Sequence, residues 1–258
     1  MFAESDVKAR IAQQFSKAAS RYDELARVQW QIAQSALLMH TNTGGIVMDL
    51  GCGTGRASSQ LAKTADQVLG LDIAGGMVEL ARQRCPLQNT HFTVADAEYL
   101  PLGEACIDSV FSSMALQWCQ PLDKVLSELF RVMKTGGRGT LAIMVQGSLT
   151  ELNQSWQVLG ESAHINTFES LNTMCTAAIS AGFICNPLQQ RFTSWHKDVF
   201  DVLHSIKDIG AGVLLEQNAS HLSRKQLRQL DKIYAEKHAQ HKGLPLSYEV
   251  GFLRLEKQ

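Results

Sequence analysis

The segment Asp49-Leu50-Gly51-Cys52-Gly53-Thr54-Gly55 constrains this chain more than any other. A short apolar run, 46–50, leads into it, and a helical pattern over 56–63 leaves it. Glycines at alternate positions permit a tight turn and a close approach of backbone to ligand. A helix opening there presents free N–H groups and partial positive charge, which suits a phosphate or a carboxylate. The change of period repeats downstream. Apolar runs at 68–71, 91–94, 107–112 and 140–145 read as buried strands. Between them lie helical patterns at 75–84 and after Pro121, where Leu122, Val125, Leu126, Leu129 and Met133 share a face and Gly136-Gly137 are expected to end the helix. Alternating strands and helices predict an α/β domain with a parallel sheet.

The flanks read differently. Residues 1–40 are helical in pattern, with Ile11, Phe15, Ala18, Ala19, Tyr22, Leu25 and Ala26 recurring at helical spacing. Beyond 150 the pattern weakens: a helix is expected over 168–181, a strand over 188–195, helices within 198–240 around a loop at 210–220, and a last strand over 246–255.

Composition removes several classes of function. The chain has 258 residues, 24 Lys plus Arg against 25 Asp plus Glu, and a formal net charge of −1. Such a balance argues against wholesale nucleic-acid binding, which needs a strong basic field. The longest apolar runs, such as 141–145, fall far short of the roughly 20 residues that span a bilayer, so no membrane segment is expected. The first residues carry charges at once and lack the apolar core of a secretory signal. Six cysteines, Cys52, Cys85, Cys106, Cys119, Cys175 and Cys185, form no C-x-x-C pair and no zinc spacing. Reduced core thiols, no metal and a cytoplasmic location are the expectations.

Two ligand classes compete for the glycine loop. The dinucleotide fingerprint is G-x-G-x-x-G, but Arg56 stands where its third glycine would be and would crowd the helix–strand contact. Asp72 closes the second strand run, where an acid grips a ribose diol because two hydroxyl donors need a bidentate acceptor. Asp96 follows the third, beside Ala97. Either acid alone also suits a helix N-cap. Met77 and Leu100 are candidates for a pocket wall or for plain core.

The G-x-G-x-G spacing with these acids resembles the first motif of class I S-adenosylmethionine-dependent methyltransferases. The likeness implies a Rossmann-like fold: a seven-stranded, mostly parallel sheet with an antiparallel last strand and a helical cap. It also implies that Asp49, Gly51, Cys52, Gly53, Gly55, Asp72, Ile73, Met77, Asp96, Ala97 and Met114 hold S-adenosylmethionine, with S-adenosylhomocysteine as product. Longer stretches narrow the family. Phe15-Ser16-Lys17-Ala18-Ala19-Ser20-Arg21-Tyr22-Asp23 with Ala26 and Gln29, Ala115-Leu116-Gln117-Trp118-Cys119, Val145-Gln146-Gly147-Ser148-Leu149, Ser205-Ile206-Lys207-Asp208-Ile209-Gly210-Ala211, Leu222-Ser223-Arg224-Lys225-Gln226-Leu227 and Pro245-Leu246-Ser247-Tyr248 are similar to the biotin-pathway malonyl-acyl carrier protein O-methyltransferases. The resemblance covers almost the whole chain. In 210–220, only Glu216 and Asn218 stand out as polar anchors.

That family would methylate the free carboxylate of malonyl-acyl carrier protein, masking its charge so that fatty-acid elongation accepts it as a primer for the pimeloyl half of biotin's precursor. Tyr22, Gln117, Trp118, Gln146 and Lys207 are the substrate-side candidates, with His204 one turn from Lys207; a core tyrosine at Tyr22, simple packing at Trp118, a solvated surface lysine at Lys207 and a core or cap histidine at His204 are the competing readings. Acyl carrier proteins are acidic, so a basic surface should receive them. Arg224, Arg228 and Lys232 recur at i, i+4 and i+8 with Lys225 beside them, while Leu227, Leu230 and Tyr234 would face inward. An ordinary solvated helix face is the competing reading. The expected plan is a single methyltransferase domain over 1–258: a helical lid over 1–45, a sheet core over 46–197 and 244–258, and a helical cap over 198–243. Another small-molecule methyltransferase, or a non-catalytic S-adenosylmethionine-binding protein, are the alternatives.

Overall fold

In a computed structural model, described here for residues 4–41, 44–119, 121–160, 166–213 and 223–258, seven strands form one sheet in the order β3-β2-β1-β4-β5-β7-β6. The parallel part comprises β1 (Ile46–Leu50), β2 (Gln67–Asp72), β3 (Thr90–Val94), β4 (Ile107–Ser113) and β5 (Met133–Met144). Strand β7 (Leu244–Lys257) runs antiparallel to both β5 and β6 (Phe183–His196), as the resemblance implied. The chain winds outward from β1 through β2 to β3, then returns to β4. This reversal at the carboxyl ends of β1 and β4 opens the crevice where α/β sheets bind ligands.

Apolar residues in β1 alternate between the two faces of the sheet. On one face Val47 packs with Phe111, Trp156, Tyr234 and Phe252. These are covered by α2 (Arg27–Met39), α6 (Thr150–Leu159), α8 (Val199–Lys207) and α9 (Arg224–His238). On the other, Met48 and Leu50 join Leu126, Leu129 and Leu253. Helices α5 (Leu122–Val132) and α7 (Leu171–Ser180) cover that face. The stripe Val125, Leu126, Leu129 and Val132 on α5 is fully buried.

Several boundaries differ from the sequence pattern. Helix α5 ends at Val132, and Met133 already opens β5. Gly136-Gly137 do not stop a helix; they sit inside the strand. The register with β4 jumps from Ile107↔Met133 to Ser109↔Arg138, so the glycines fall in a bulge. Strand β6 extends past both ends of its predicted run and tolerates Pro187 because it is an edge strand. Helix α6 was not foreseen: Leu152 and Trp156 are its two large buried anchors among polar neighbours. Helix α3 (Ser58–Leu61) is shorter than the pattern over 56–63. Residues 214–222, which include Glu216, Asn218 and most of the predicted cap loop, lie outside the described part.

The first helix, α1 (Glu4–Leu25), crosses the carboxyl ends of the strands and packs on α4 (Gly75–Arg84). The contact is close: the Gly76 N–H donates to Ser16 Oγ at 3.1 Å, and a Cβ on Gly76 would stand 2.8 Å from the Ser16 carbonyl oxygen. At its far end Asp23 accepts from Thr54 Oγ1 at 2.7 Å and pairs with Arg84 at 2.6 Å.

Candidate active site

Gly53 and Gly55 do different work. Gly53 has φ +53° and no atom within 4 Å of a built Cβ; it lines a cavity of about 110 Å³ under α1. Gly55, at φ +79°, meets Ala81 at 3.1 Å and Phe92 at 3.3 Å, so it serves close packing of the loop on α4 and lines no cavity. The tight contact is thus made by Gly55, one position earlier than the dinucleotide pattern would place it, and Arg56 is exposed with its guanidinium stacked 3.9 Å over Trp30.

Asp72 lies at the end of β2 on the wall of the first cavity. Its Oδ2 accepts from the Gly53 N–H at 2.9 Å and its Oδ1 from the Ala74 N–H at 2.8 Å. Burial pushes its pKa up, and the backbone donors pull it part of the way back. Both oxygens keep a lone pair for a hydroxyl donor. The helix-cap alternative does not hold for Asp72: the N-cap of α4 is Ala74, with no side-chain cap bond, and Asp72 supports only the turn before it. The alternative fails for Asp96 as well, because no helix follows: the chain forms a small bridge, Asp96↔Tyr99, and continues as turns to β4. Asp96, Ala97, Ile73 and Met77 all line the first cavity. Leu100 does not; it is core, among Leu71, Leu116 and Leu126.

A second, larger cavity of about 400 Å³ lies beyond. Its walls are mostly apolar, from Leu149, Leu152, Phe168, Leu203 and Ile206, with Lys207 as the cation among the described lining residues. Phe15, Tyr22, Met114 and Trp118 border both cavities and stand between them. The Phe15 ring meets Trp118 edge-on at 5.7 Å. Burial, with the nearby Asp72 and Asp23 charges, raises the Tyr22 pKa and keeps the hydroxyl a donor. Met114 holds a left-handed backbone, φ +58°, costly for a side chain of its size. Two hydrogen bonds lock it: its N–H donates to Ala142 O, and Gln117 Nε2 donates to Met114 O, both at 2.8 Å. That leaves Gln117 Oε1 buried without a partner among the described residues.

A small third recess of about 70 Å³ adjoins the glycine loop and is lined by Asp49 and Cys52. Asp49 accepts from Ser58 Oγ at 2.5 Å; burial pushes its pKa up to about 7 against that bond. Cys52 packs with Val78, Ala81, Cys85 and Phe92, and burial raises its thiol well above the ordinary range.

Sequence-derived candidates divide accordingly. Gly51, Gly53, Asp72, Ile73, Met77, Asp96, Ala97 and Met114 share the first cavity. Tyr22, Gln117, Trp118 and Lys207 share the second. Gln146 belongs to neither: it is exposed, its N–H bonded to Glu169 O at 2.9 Å. The pairing with β7 continues past Met144 through Val145 N to Glu249 O, and Met144 and Leu149 reach the cavity instead. His204 is exposed and bonds back to Phe200 O. Residues outside the candidate set also line the cavities: Lys8 and Phe15 from α1, Gln29 from α2, and Tyr248 from β7. Gln29 and Tyr248 lay in family-like stretches; Lys8 had no such signal. Arg224, Lys225, Arg228 and Lys232 are exposed on α9, while Leu230 and Tyr234 are buried and Leu227 is half-buried. Among the described residues no three His, Cys, Asp or Glu could hold a metal ion, and no helix is long and apolar enough to cross a membrane.

The open Gly53 turn and the Asp72 carboxylate with its remaining lone pairs, set at the sheet's switch point, fit S-adenosylmethionine. Together with the fold they define a class I S-adenosylmethionine-dependent methyltransferase. A family model described as a methyltransferase domain matches residues 48–141. Among solved structures, the YcgJ protein from Bacillus subtilis superposes with a TM-score of 0.61 at 15 % identity, covering 90 % of this chain and 99 % of that one. Geranyl diphosphate C-methyltransferase from Streptomyces coelicolor, in complex with S-adenosyl-L-homocysteine, gives 0.55 at 13 %, over 88 % and 78 %. These two share the fold.

Sequence relatives go further. The malonyl-[acyl-carrier protein] O-methyltransferase of Serratia marcescens is 34 % identical over 95 % of this chain and 94 % of its own length. The protein of that name from Salmonella typhimurium is 34 % identical over 94 % and 95 %. The biotin biosynthesis bifunctional protein BioHC of Cellvibrio japonicus is also 34 % identical over 97 % of this chain, which spans 50 % of that longer protein. The chain belongs to the malonyl-[acyl-carrier protein] O-methyltransferase family.

Proposed function

We propose that this protein transfers a methyl group from S-adenosylmethionine to the free carboxylate of a malonyl thioester on acyl carrier protein, giving the methyl ester that primes pimeloyl synthesis for biotin. The observation that carries this reading is the pair of mostly apolar cavities meeting at Phe15, Tyr22, Met114 and Trp118, with the acids Asp72 and Asp96 on the first and Lys207 on the second.

When bound, the cofactor would supply an electrophilic methyl on its sulfonium: a carboxylate oxygen would form the new bond to that methyl in line as the bond to sulfur breaks, giving the ester and S-adenosylhomocysteine. A carboxylate with a pKa near 4 is already ionised at pH 7, so no general base is required. The protein's work is placement and removal of water. Asp72 accepts from the ribose hydroxyls, while Asp96 and the Ala97 N–H take the edge of the base. Lys207 attracts the malonyl carboxylate into an apolar chamber whose walls strip its water. The Tyr22 hydroxyl steadies it beside the junction, with the second N–H of the Gln117 amide, whose first already holds Met114 O. Such positioning can contribute roughly 7–11 kcal/mol of the barrier reduction.

In this reading α1 and α2 form the lid, α8 and α9 belong to the cap, and the exposed stripe Arg224, Lys225, Arg228 and Lys232 receives the acidic carrier protein. The reaction belongs in the cytoplasm, with no role for nucleic acid or membrane. The test is an assay of malonyl-carrier protein beside malonyl-coenzyme A and free malonate, with ester product read by mass spectrometry. Ester on the carrier substrate supports the proposal. No ester on any of the three contradicts it.

A further inference from the structure

At the base end of the first cavity, α1 contributes a charge that the mechanism above does not use. Lys8 Nζ lies 2.8 Å from Asp96 Oδ2 and 2.8 Å from Glu98 Oε1. The three side chains are 18 %, 28 % and 0 % exposed, so this is a largely desolvated bridge. Burial alone would lower the Lys8 pKa, but its bonds to Asp96 and Glu98 outweigh that and hold it above the ordinary lysine value. Lys8 and Asp96 both line the cavity.

The carboxylate of Asp96 is set from two sides. Its Oδ1 accepts from the Glu98 N–H at 3.0 Å, which leaves Oδ2 to Lys8 and the cavity. Glu98, two residues on, is a buried like charge. Its other cation, Lys124 on α5, stands at 3.4 Å and also donates to the Tyr99 hydroxyl. Cys119 completes the surroundings, its thiol pushed up to about 12 by burial and by these two carboxylates. Without Lys8, Asp96 would face Glu98 with no cation of its own, and nothing would hold Oδ2 toward the base.

We propose that Lys8 is a positioning residue for base recognition: by bridging Asp96 and Glu98 it fixes the Asp96 carboxylate as acceptor for a 6-amino purine, so that α1 contributes through Lys8 to the rejection of a 6-oxo purine. The proposal rests on the reading of the first cavity as the S-adenosylmethionine site. It is separable from lid closure, because α1 is fastened elsewhere, through Ser16 on Gly76 and through Asp23 on Thr54 and Arg84.

The test is calorimetric binding of S-adenosylhomocysteine and S-inosylhomocysteine, in which the 6-amino group is replaced by an oxo group and N1 gains a proton. A site built around a donated N–H rejects the analogue lacking it strongly. The wild-type protein is expected to prefer the adenosyl compound at least 100-fold. Lys8→Met is expected to shrink that preference about tenfold, chiefly by weakening the adenosyl compound, and Lys8→Arg to restore most of it. Asp23→Asn, which loosens the far end of α1, should weaken both ligands by the same factor. Equal weakening of both ligands by Lys8→Met, or an unchanged ratio, overturns the proposal. Failure of the wild-type protein to bind S-adenosylhomocysteine removes the cofactor reading and this inference with it.

Discussion

The first cavity is lined at strand ends by backbone and short acids: the Gly53 turn, Asp72 on β2, and Asp96 after β3. The second is lined by long side chains gathered from α1, α2, α6, α8 and β7, such as Gln29, Leu152, Ile206, Lys207 and Tyr248. The first set is held by hydrogen bonds to main chain, as at Asp72. The second is held by packing. A site pinned by the sheet can serve one cofactor in many proteins, while a site built from flanking helices can change its substrate without disturbing the sheet.

The sharpest way to break this division is at the acid that lines the first cavity. Asp72→Ala removes a buried acceptor for two hydroxyls. Hydrogen bonds to a charged group contribute about 1.5–3 kcal/mol each, so the Kd for S-adenosylhomocysteine should rise about 100-fold or more by calorimetry. An Asp72→Ala protein that binds as tightly as wild type would dissolve the distinction. At the junction the expected effect is smaller. Tyr22→Phe keeps the ring and loses one donor, and should lower kcat about tenfold in steady-state assays while leaving S-adenosylhomocysteine binding nearly unchanged.

Outside both cavities the effects shrink further. Reversing Arg224 and Arg228 to Glu should cut kcat/KM for the carrier substrate several-fold at low salt, and the loss should fade as salt screens the encounter. The acids of the first half also leave a trace in stability. Asp49 has a folded pKa of about 7 against an ordinary 3.8. The folded state therefore binds its proton more tightly, and this contribution to stability is full below about pH 4 and lost as pH rises through 7. Melting temperatures of Asp49→Asn should gain on wild type by on the order of a few degrees across that window. Parallel curves would show that Asp49 does not titrate there.

The same contrast explains what could be read from the sequence. Asp72 and Asp96 were legible because each stands at the end of a strand run, and a strand end fixes where a short side chain points. Gln146 also follows a strand, yet it lies outside the cavities. Strand β5 keeps pairing with antiparallel β7 beyond Met144, so the chain tracks its neighbour rather than turning into the crevice, a choice set by residues a hundred positions away. Gly136-Gly137 misled for a related reason: a bulge demanded by strand register looks, locally, like a helix stop. Lys207 was reachable through family-like residues around it. Lys8 was not, because its meaning comes from the buried Glu98 across the fold.

The division of labour is tested most directly at Lys207, the cation lining the second cavity. The measurement is a paired one on Lys207→Met: the Kd for S-adenosylhomocysteine, and kcat/KM with malonyl-carrier protein. Lys207 is exposed at the edge of that cavity, and a solvent-facing ion pair contributes up to about 1 kcal/mol. The account predicts that kcat/KM falls about fivefold while the Kd stays within about twofold of wild type. A Kd that weakens in step with kcat/KM, or a kcat/KM that does not move, would contradict it.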